Sequence, residues 1–176
     1  YRYQTDLEDG AVHADFAPAH QSAVYRIEFR EGTPTVLLSS GNGALAMDGN
    51  LLTGWQTVSG ETKVYVAMEF EETPIEAGAL GHGQISGRAS DEGRNACIAM
   101  RFKENTVHLR YGVSFISTEQ ALANLRREID TWDVEKVAAK GRRIWNETLG
   151  RIEVKGGTDK QKTVFYTSYY RTFERP

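Results

Sequence analysis

The chain has 176 residues, 40% hydrophobic and 26% charged, a balance that supports a packed globular core and excludes disorder. Twenty-one Lys and Arg against 24 Asp and Glu give a formal net charge of −3, so no basic field exists to hold nucleic acid or an anionic membrane. Its apolar runs are a few residues long, far short of the roughly 20 that cross a bilayer, and a lone Cys97 excludes an intrachain disulfide. Neither nucleic acid nor membrane is expected as a partner.

From Tyr1 to about residue 116 the pattern has period two, with β-branched and aromatic residues between clusters of Gly, Asn, Asp and Ser. Strands are expected near residues 1–7, 11–17, 34–39, 44–47 and 50–58, parted by Asp9-Gly10, Glu31-Gly32, Gly41-Asn42-Gly43 and Asp48-Gly49-Asn50. Tyr25, Ile27 and Phe29 alternate with charged residues, and Val64, Val66, Met68 and Phe70 mark another core-facing run. The stretch from Glu71 to Asn95 holds five Gly and no sustained period after Ile75, and reads as a long loop with room for one strand. Ile98, Met100 and Phe102, then Val107 to Phe115, complete the set, with Lys103-Glu104-Asn105 between them as a tight hairpin. Eight or more short antiparallel strands spell a β-sandwich.

At Ser117 the period becomes 3.6. Ser117 and Gln120 match a capping box, and Leu122, Leu125 and Ile129 form one stripe of a short helix. Asp133 caps a second helix running to about Leu149, with Val134, Val137, Ile144 and Trp145 on one side and Gly150 after its end. Arg151–Lys155 reads as a short extended segment, and Thr158 with Gln161 opens a third helix. Three units follow: a sandwich over 1–116, a helical linker over 117–157, and a helix over 158–176. On that last helix Phe165, Tyr166, Tyr169, Tyr170 and Phe173 spread over roughly 140° at about 100° per residue. So wide an arc needs a groove on the sandwich or further helices outside this sequence, and its breadth favours the helices. With no initiator Met, and Pro176 directly behind this segment, the chain reads as part of something longer.

Catalytic motifs are missing: there is no Gly-x-Ser-x-Gly, no His-Glu-x-x-His and no phosphate-binding glycine loop. Cys97 lies in an apolar run, where packing is its use. His13-Ala14-Asp15 puts an imidazole and a carboxylate on one strand face, which could begin a metal site or be a solvated face; His20 and His82 read as loop residues. Asp6-Glu8-Asp9, Glu71-Glu72 and Asp91-Glu92 could pair carboxylates for glycoside chemistry, but they lie at turns and read as solvated charges. Gly41-Asn42-Gly43 lacks the helix that a dinucleotide site needs, and the Asn146-Glu147-Thr148 sequon falls inside a helix. Trp55 either stacks on a sugar ring from an exposed sheet face or packs in the core.

The run from Trp145 through Asn146-Glu147-Thr148-Leu149-Gly150-Arg151-Ile152-Glu153-Val154-Lys155-Gly156-Gly157-Thr158, with Gln161, Phe165-Tyr166-Thr167, Tyr170 and Phe173, closely resembles the domain junction of bacterial α-mannosidases of glycoside hydrolase family 92. Tyr111-Gly112-Val113-Ser114-Phe115-Ile116-Ser117, Glu119-Gln120, Asn124-Leu125, Ile129 and Trp132-Asp133 are similar to the stretch before that junction. Trp55, Val64-Tyr65-Val66 and Phe70 resemble a strand pair of its N-terminal domain. The resemblance implies a mutarotase-like supersandwich, a helical linker and the first helix of an (α/α)6 barrel. It further implies inverting exo-hydrolysis of α-mannosides, a Ca2+ cofactor and export to the periplasm or cell surface. In such enzymes the acid, the base and the calcium ligands belong to the barrel, so no catalytic, substrate-binding or metal residue is assigned here. Arg171 stands where the family usually has His, and Ser168-Tyr169 where it has Ala-Leu. The chain alone is expected to be inactive, to contact α-mannoside glycans only through the whole enzyme, and to partner the helical barrel or itself through the last helix. The alternative is a stand-alone carbohydrate-binding module; a third reading is a purely structural domain.

Overall fold

The computed structural model describes residues 1–173; residues 174–176 of the expected third helix lie outside them. Ten strands come first, β1 (Tyr3–Leu7), β2 (Val12–Pro18), β3 (Ser22–Phe29), β4 (Thr35–Asp48), β5 (Leu51–Ser59), β6 (Thr62–Phe70), β7 (Glu76–Gly81), β8 (Gln84–Ile85), β9 (Ser90–Arg101) and β10 (Thr106–Ser114). Helices α1 (Thr118–Glu128), α2 (Val134–Leu149) and α3 (Asp159–Arg171) follow. The strands form one antiparallel sheet in the order β1-β2-β3-β10-β6-β5-β4-β9-β7-β8.

This sheet folds over on itself, so both layers of the sandwich belong to it. Phe70 of β6 and Phe102 after β9 are separated in the sheet by β5 and β4, yet their ring centroids lie 5.2 Å apart across the core. Leu45, Met47, Leu52, Met68, Ile98, Met100, Val107 and Leu109 fill the same core. The crease runs through β4 and β9. Val36 and Leu38 face the core from the first half of β4, and Leu45 and Met47 from the second, so even and odd positions exchange roles across Gly41-Asn42-Gly43. The β4–β9 ladder runs from Thr35↔Arg101 to Ala46↔Ser90, interrupted only at Gly41 and Asn95, and Asn95 takes a left-handed φ of 58°. A Cβ at Gly43 would sit 1.9 Å from the Trp55 carbonyl oxygen, so only glycine allows β5 this close.

Three sequence expectations fail around this crease. Gly41-Asn42-Gly43 is not a turn between two strands but the bend of a single 14-residue strand. Lys103-Glu104-Asn105 is not a tight hairpin: β9 pairs with β4 and β7, while β10 pairs with β3 and β6. The two runs face each other across the core, and their connection crosses between layers. Glu71–Asn95 is not a loop, because it holds β7, β8 and the start of β9. The small Ala77-Gly78-Ala79 run hides its strand character, yet Ala79 is fully buried.

On the outer face of the first layer, α1 lies over β10 and β6, and α2 over β2. Leu125, Ile129, Val134, Val137 and Ala138 form a second core with Ala17 and Val24 of the sheet. Gly112 of β10 makes the approach of α1 possible, since a Cβ there would lie 2.3 Å from the Ala121 carbonyl oxygen. Ser117 caps α1 by accepting from the Gln120 amide, but the Gln120 side chain donates instead to Asn124, leaving half of the expected capping box. Asp133 caps α2 and Thr158 caps α3, the latter with the complete box. α2 crosses the sheet edge at Gly141, beside Tyr1 and Pro18, and runs on past it. Ile144, expected on the buried side, is therefore 50% exposed. Residues 151–155 carry no strand assignment.

Candidate functional site

Asp15, Glu69 and Glu128 anchor the ties between sheet and helical layer, Asp15 through arginines that it shares with Glu135 of α2. Asp15 on β2 is fully buried and accepts from Arg2 Nε at 2.8 Å and Nη2 at 2.6 Å, and from its cross-strand neighbour Arg26 at 3.1 Å. Arg2 and Arg26 also reach Glu135 on α2, at 3.1 and 3.5 Å. Glu69 on β6 receives Arg110, opposite it on β10, and Arg126 of α1, each at 2.8 Å. Arg110 donates onward to the Ile129 carbonyl and lies over the Trp132 ring. Glu128, near the end of α1, accepts from the His20 and Gln21 amides and the Ser22 hydroxyl of the β2–β3 turn.

These partners keep the carboxylates charged. The hydrogen bond from Arg2 holds the Asp15 carboxyl below its ordinary range against the opposing effect of burial. Burial pushes Glu69 upward, but the bonds from Arg126 and Arg110 outweigh it and the net shift is down. Glu128 behaves alike, with Ser22 and Gln21 overcoming burial. A general acid at neutral pH needs the opposite shift, so none of the three is suited to protonate a leaving group.

The other sequence candidates disperse. His13 pairs with Asp6, 2.9 Å away, while Asp15 on the same strand face is engaged by arginines, so the two do not combine as metal ligands. Glu8 and Asp9 sit in a short 3-10 turn (Glu8–Gly10), Glu71 pairs with His108 at 2.8 Å, and His82 occupies a turn with φ of 50°. Cys97 is half-buried, its thiol pushed up by burial and by Asp91. Asn146 is exposed on α2. Among the described residues no group of three His, Cys, Asp or Glu converges as a metal requires.

Trp55 is the exception, because it lies on the outer face of β5 and not in the core. It borders a cleft of about 470 Å³ beside the start of α1, floored by Ala44, Ala46 and Thr53 and rimmed by Arg88, Asp91 and Glu92. The Lys63 ammonium lies 3.7 Å from the centroid of its ring. Sequence reasoning noted Trp55 and Asp91-Glu92 separately; their proximity depends on β4 standing between β5 and β9, which no local pattern reveals.

α3 packs against the end of α2 through Trp145, whose ring centroid is 4.6 Å from Tyr170 and 5.8 Å from Phe173. The Tyr166 hydroxyl donates to the Ile152 carbonyl and accepts from the Val154 amide. No residue of α3 is buried, and Phe165, Tyr170 and Phe173 are 36%, 41% and 44% exposed.

Residues 1–114 match the glycosyl hydrolase family 92 N-terminal domain. The chain belongs to glycosyl hydrolase family 92. Residues 120–176 match the family 92 catalytic domain, a span that begins inside α1 and takes in α2 and α3. Among solved structures, the family GH92 inverting mannosidase of Bacteroides thetaiotaomicron superposes with a TM-score of 0.89 at 27% identity, over 98% of this chain and 25% of that one. The family GH92 α-mannosidase of the same organism gives 0.84 at 21% identity, over 96% of this chain and 26% of that one, which supports the fold. An uncharacterized secreted glycosidase of Arthroderma benhamiae is 38% identical over 74 residues, 40% of this chain and 10% of its own length. The chain thus spans about a quarter of the length of the solved relatives and a tenth of the secreted one.

Proposed function

We propose that this chain is the N-terminal, non-catalytic part of an inverting, Ca2+-dependent exo-α-mannosidase, exported to the periplasm or cell surface and inactive by itself. Its role is to hold α1 and α2 rigidly on the sheet, and with them the start of the helical domain that performs hydrolysis. The observation that carries this reading is α3. It lies within the catalytic-domain match, yet none of its residues is buried and its aromatics are left half-exposed. Family membership and the inverting mannosidase that superposes over nearly the whole chain support the substrate class and stereochemistry. The relative described as secreted supports export, and none of the described helices is long and apolar enough to cross a membrane.

Inversion requires an acid on the leaving oxygen and a base on water, with the carboxyls roughly 6.5–9.5 Å apart. The buried carboxylates of this chain are held ionised by arginine and amide donors, so neither role is assigned to them. Ca2+ takes six to eight oxygen ligands. The described residues do not fit it, since no acidic cluster converges and Asp15, Glu69 and Glu128 are already bound. Its ligands are proposed to come from other polypeptide. By itself the chain self-associates through α3.

An aryl α-mannoside assay tests the reading. The 176-residue chain should show no turnover, whereas a longer protein containing it should release β-mannose first, by proton NMR, and lose activity to EDTA until Ca2+ is restored. Turnover by the chain itself, or a longer protein inert towards α-mannosides, would overturn the assignment.

A further inference from the structure

The cleft beside Trp55 has features that the scaffolding role does not use. Its volume of about 470 Å³ lies within the roughly 300–1,000 Å³ typical of small-ligand sites. The floor is made of small side chains, Ala44 and Thr53, so a flat ring can lie close to the sheet. Trp55 supplies an aromatic wall against which the C–H face of a sugar packs, and the Lys63 ammonium holds the indole in one orientation. At the rim, Arg88 offers guanidinium donors and Glu92 carboxylate acceptors, complementary to adjacent hydroxyls. Asp91 is engaged already: one oxygen accepts from the Cys97 amide at 3.0 Å and the other pairs with Arg88 at 3.6 Å, so it positions that guanidinium.

The charges decide the ligand class. In the lining Arg88 pairs with Asp91 at 3.6 Å, and Glu92 adds a second carboxylate. A phosphate or uronate would meet both carboxylates, and a cationic group the Arg88 guanidinium, whereas a neutral polyol finds a donor in Arg88 and an acceptor in Glu92. We infer that this cleft is a non-catalytic binding site for one neutral pyranose of a glycan chain. That the pyranose is an α-mannoside rests on the function proposed above.

Nitrogen-15 NMR of the 176-residue chain tests this with methyl α-mannoside, α-1,2-mannobiose, maltose and inorganic phosphate as probes. The expected result is saturable binding on the order of millimolar. The Trp55 indole N–H and the amides of Ser90, Asp91 and Glu92 should shift while the indoles of Trp132 and Trp145 stay in place. Trp55→Ala and Glu92→Gln should each weaken binding about tenfold or more with the rest of the spectrum unchanged; Glu92 is exposed, so its variant keeps the fold. Maltose bound in preference to both mannosides would support the cleft as a saccharide site and count against the mannose assignment alone. No shift with any sugar, shifts confined to other surfaces, or a stronger response to phosphate would overturn the proposal. So would a longer protein in which these resonances no longer respond, because polypeptide would then cover the cleft.

Discussion

Asp15 shows how much a single side chain controls. Its folded carboxyl titrates below the ordinary value of 3.8, as Glu69 and Glu128 do below 4.5, so the stability they contribute is complete above those values and is lost as pH falls through the folded ones. Urea unfolding between pH 7 and 2 should therefore show a steep loss of stability below about pH 4. Asp15→Asn should lower stability at pH 7 by about 2–3 kcal/mol and flatten that acid limb. An unchanged acid limb in Asp15→Asn would mean that the arginine pair does not govern it. At this scale the sequence was partly legible. Period two alone puts His13 and Asp15 on one strand face, but Asp15 is held by Arg2 and by Arg26, directly opposite on β3, and those pairings need the register. Glu69 and Arg110 were equally hidden, since each reads as an ordinary outward-facing charge until β6 and β10 are set side by side.

Elements with one buried face were readable, and elements that change face were not. β3, β6 and β10 keep a single parity and fall close to their expected limits; α1, α2 and α3 start at the expected caps Ser117, Asp133 and Thr158. β4 keeps its parity only until Ser40, so each half looks like a strand of its own. β7 is built from Ala and Gly, and no side-chain period announces it. Packing between elements yields a sharper test at Gly112. Gly112→Ala forces a methyl group into the backbone of α1 and should cost about 1–3 kcal/mol. Amide exchange should accelerate throughout α1 while β4 and β9 remain protected. Phe70→Ala, which empties the space against Phe102 in the main core, should cost about 3–5 kcal/mol and loosen both layers together.

At the scale of the molecule, the described residues form two closed bodies of apolar packing and a third that is open. The sandwich core and the layer beneath α1 and α2 are closed, while α3 presents Val164, 59% exposed, together with Phe165 and Tyr170, and the turn after it adds Phe173. Patches of this kind drive association. Sedimentation velocity should show concentration-dependent self-association of the chain, abolished by Val164→Glu combined with Phe165→Lys. A strictly monomeric chain at high micromolar concentration would contradict the proposed use of that face. The broad aromatic arc was visible from the 3.6-residue period alone, because it is a property of one helix. The cleft was not, because it is assembled from three neighbouring strands and the approach of a helix.

Arg2, just before β1, stands 133 positions before Glu135, and its guanidinium clasps Asp15 of β2 and Glu135 of α2 at once. During synthesis, then, this clasp cannot close until residue 135 has left the ribosome, long after residue 2. A cut beside Arg2 would be felt first more than a hundred residues away, as a helix that rocks on its seat.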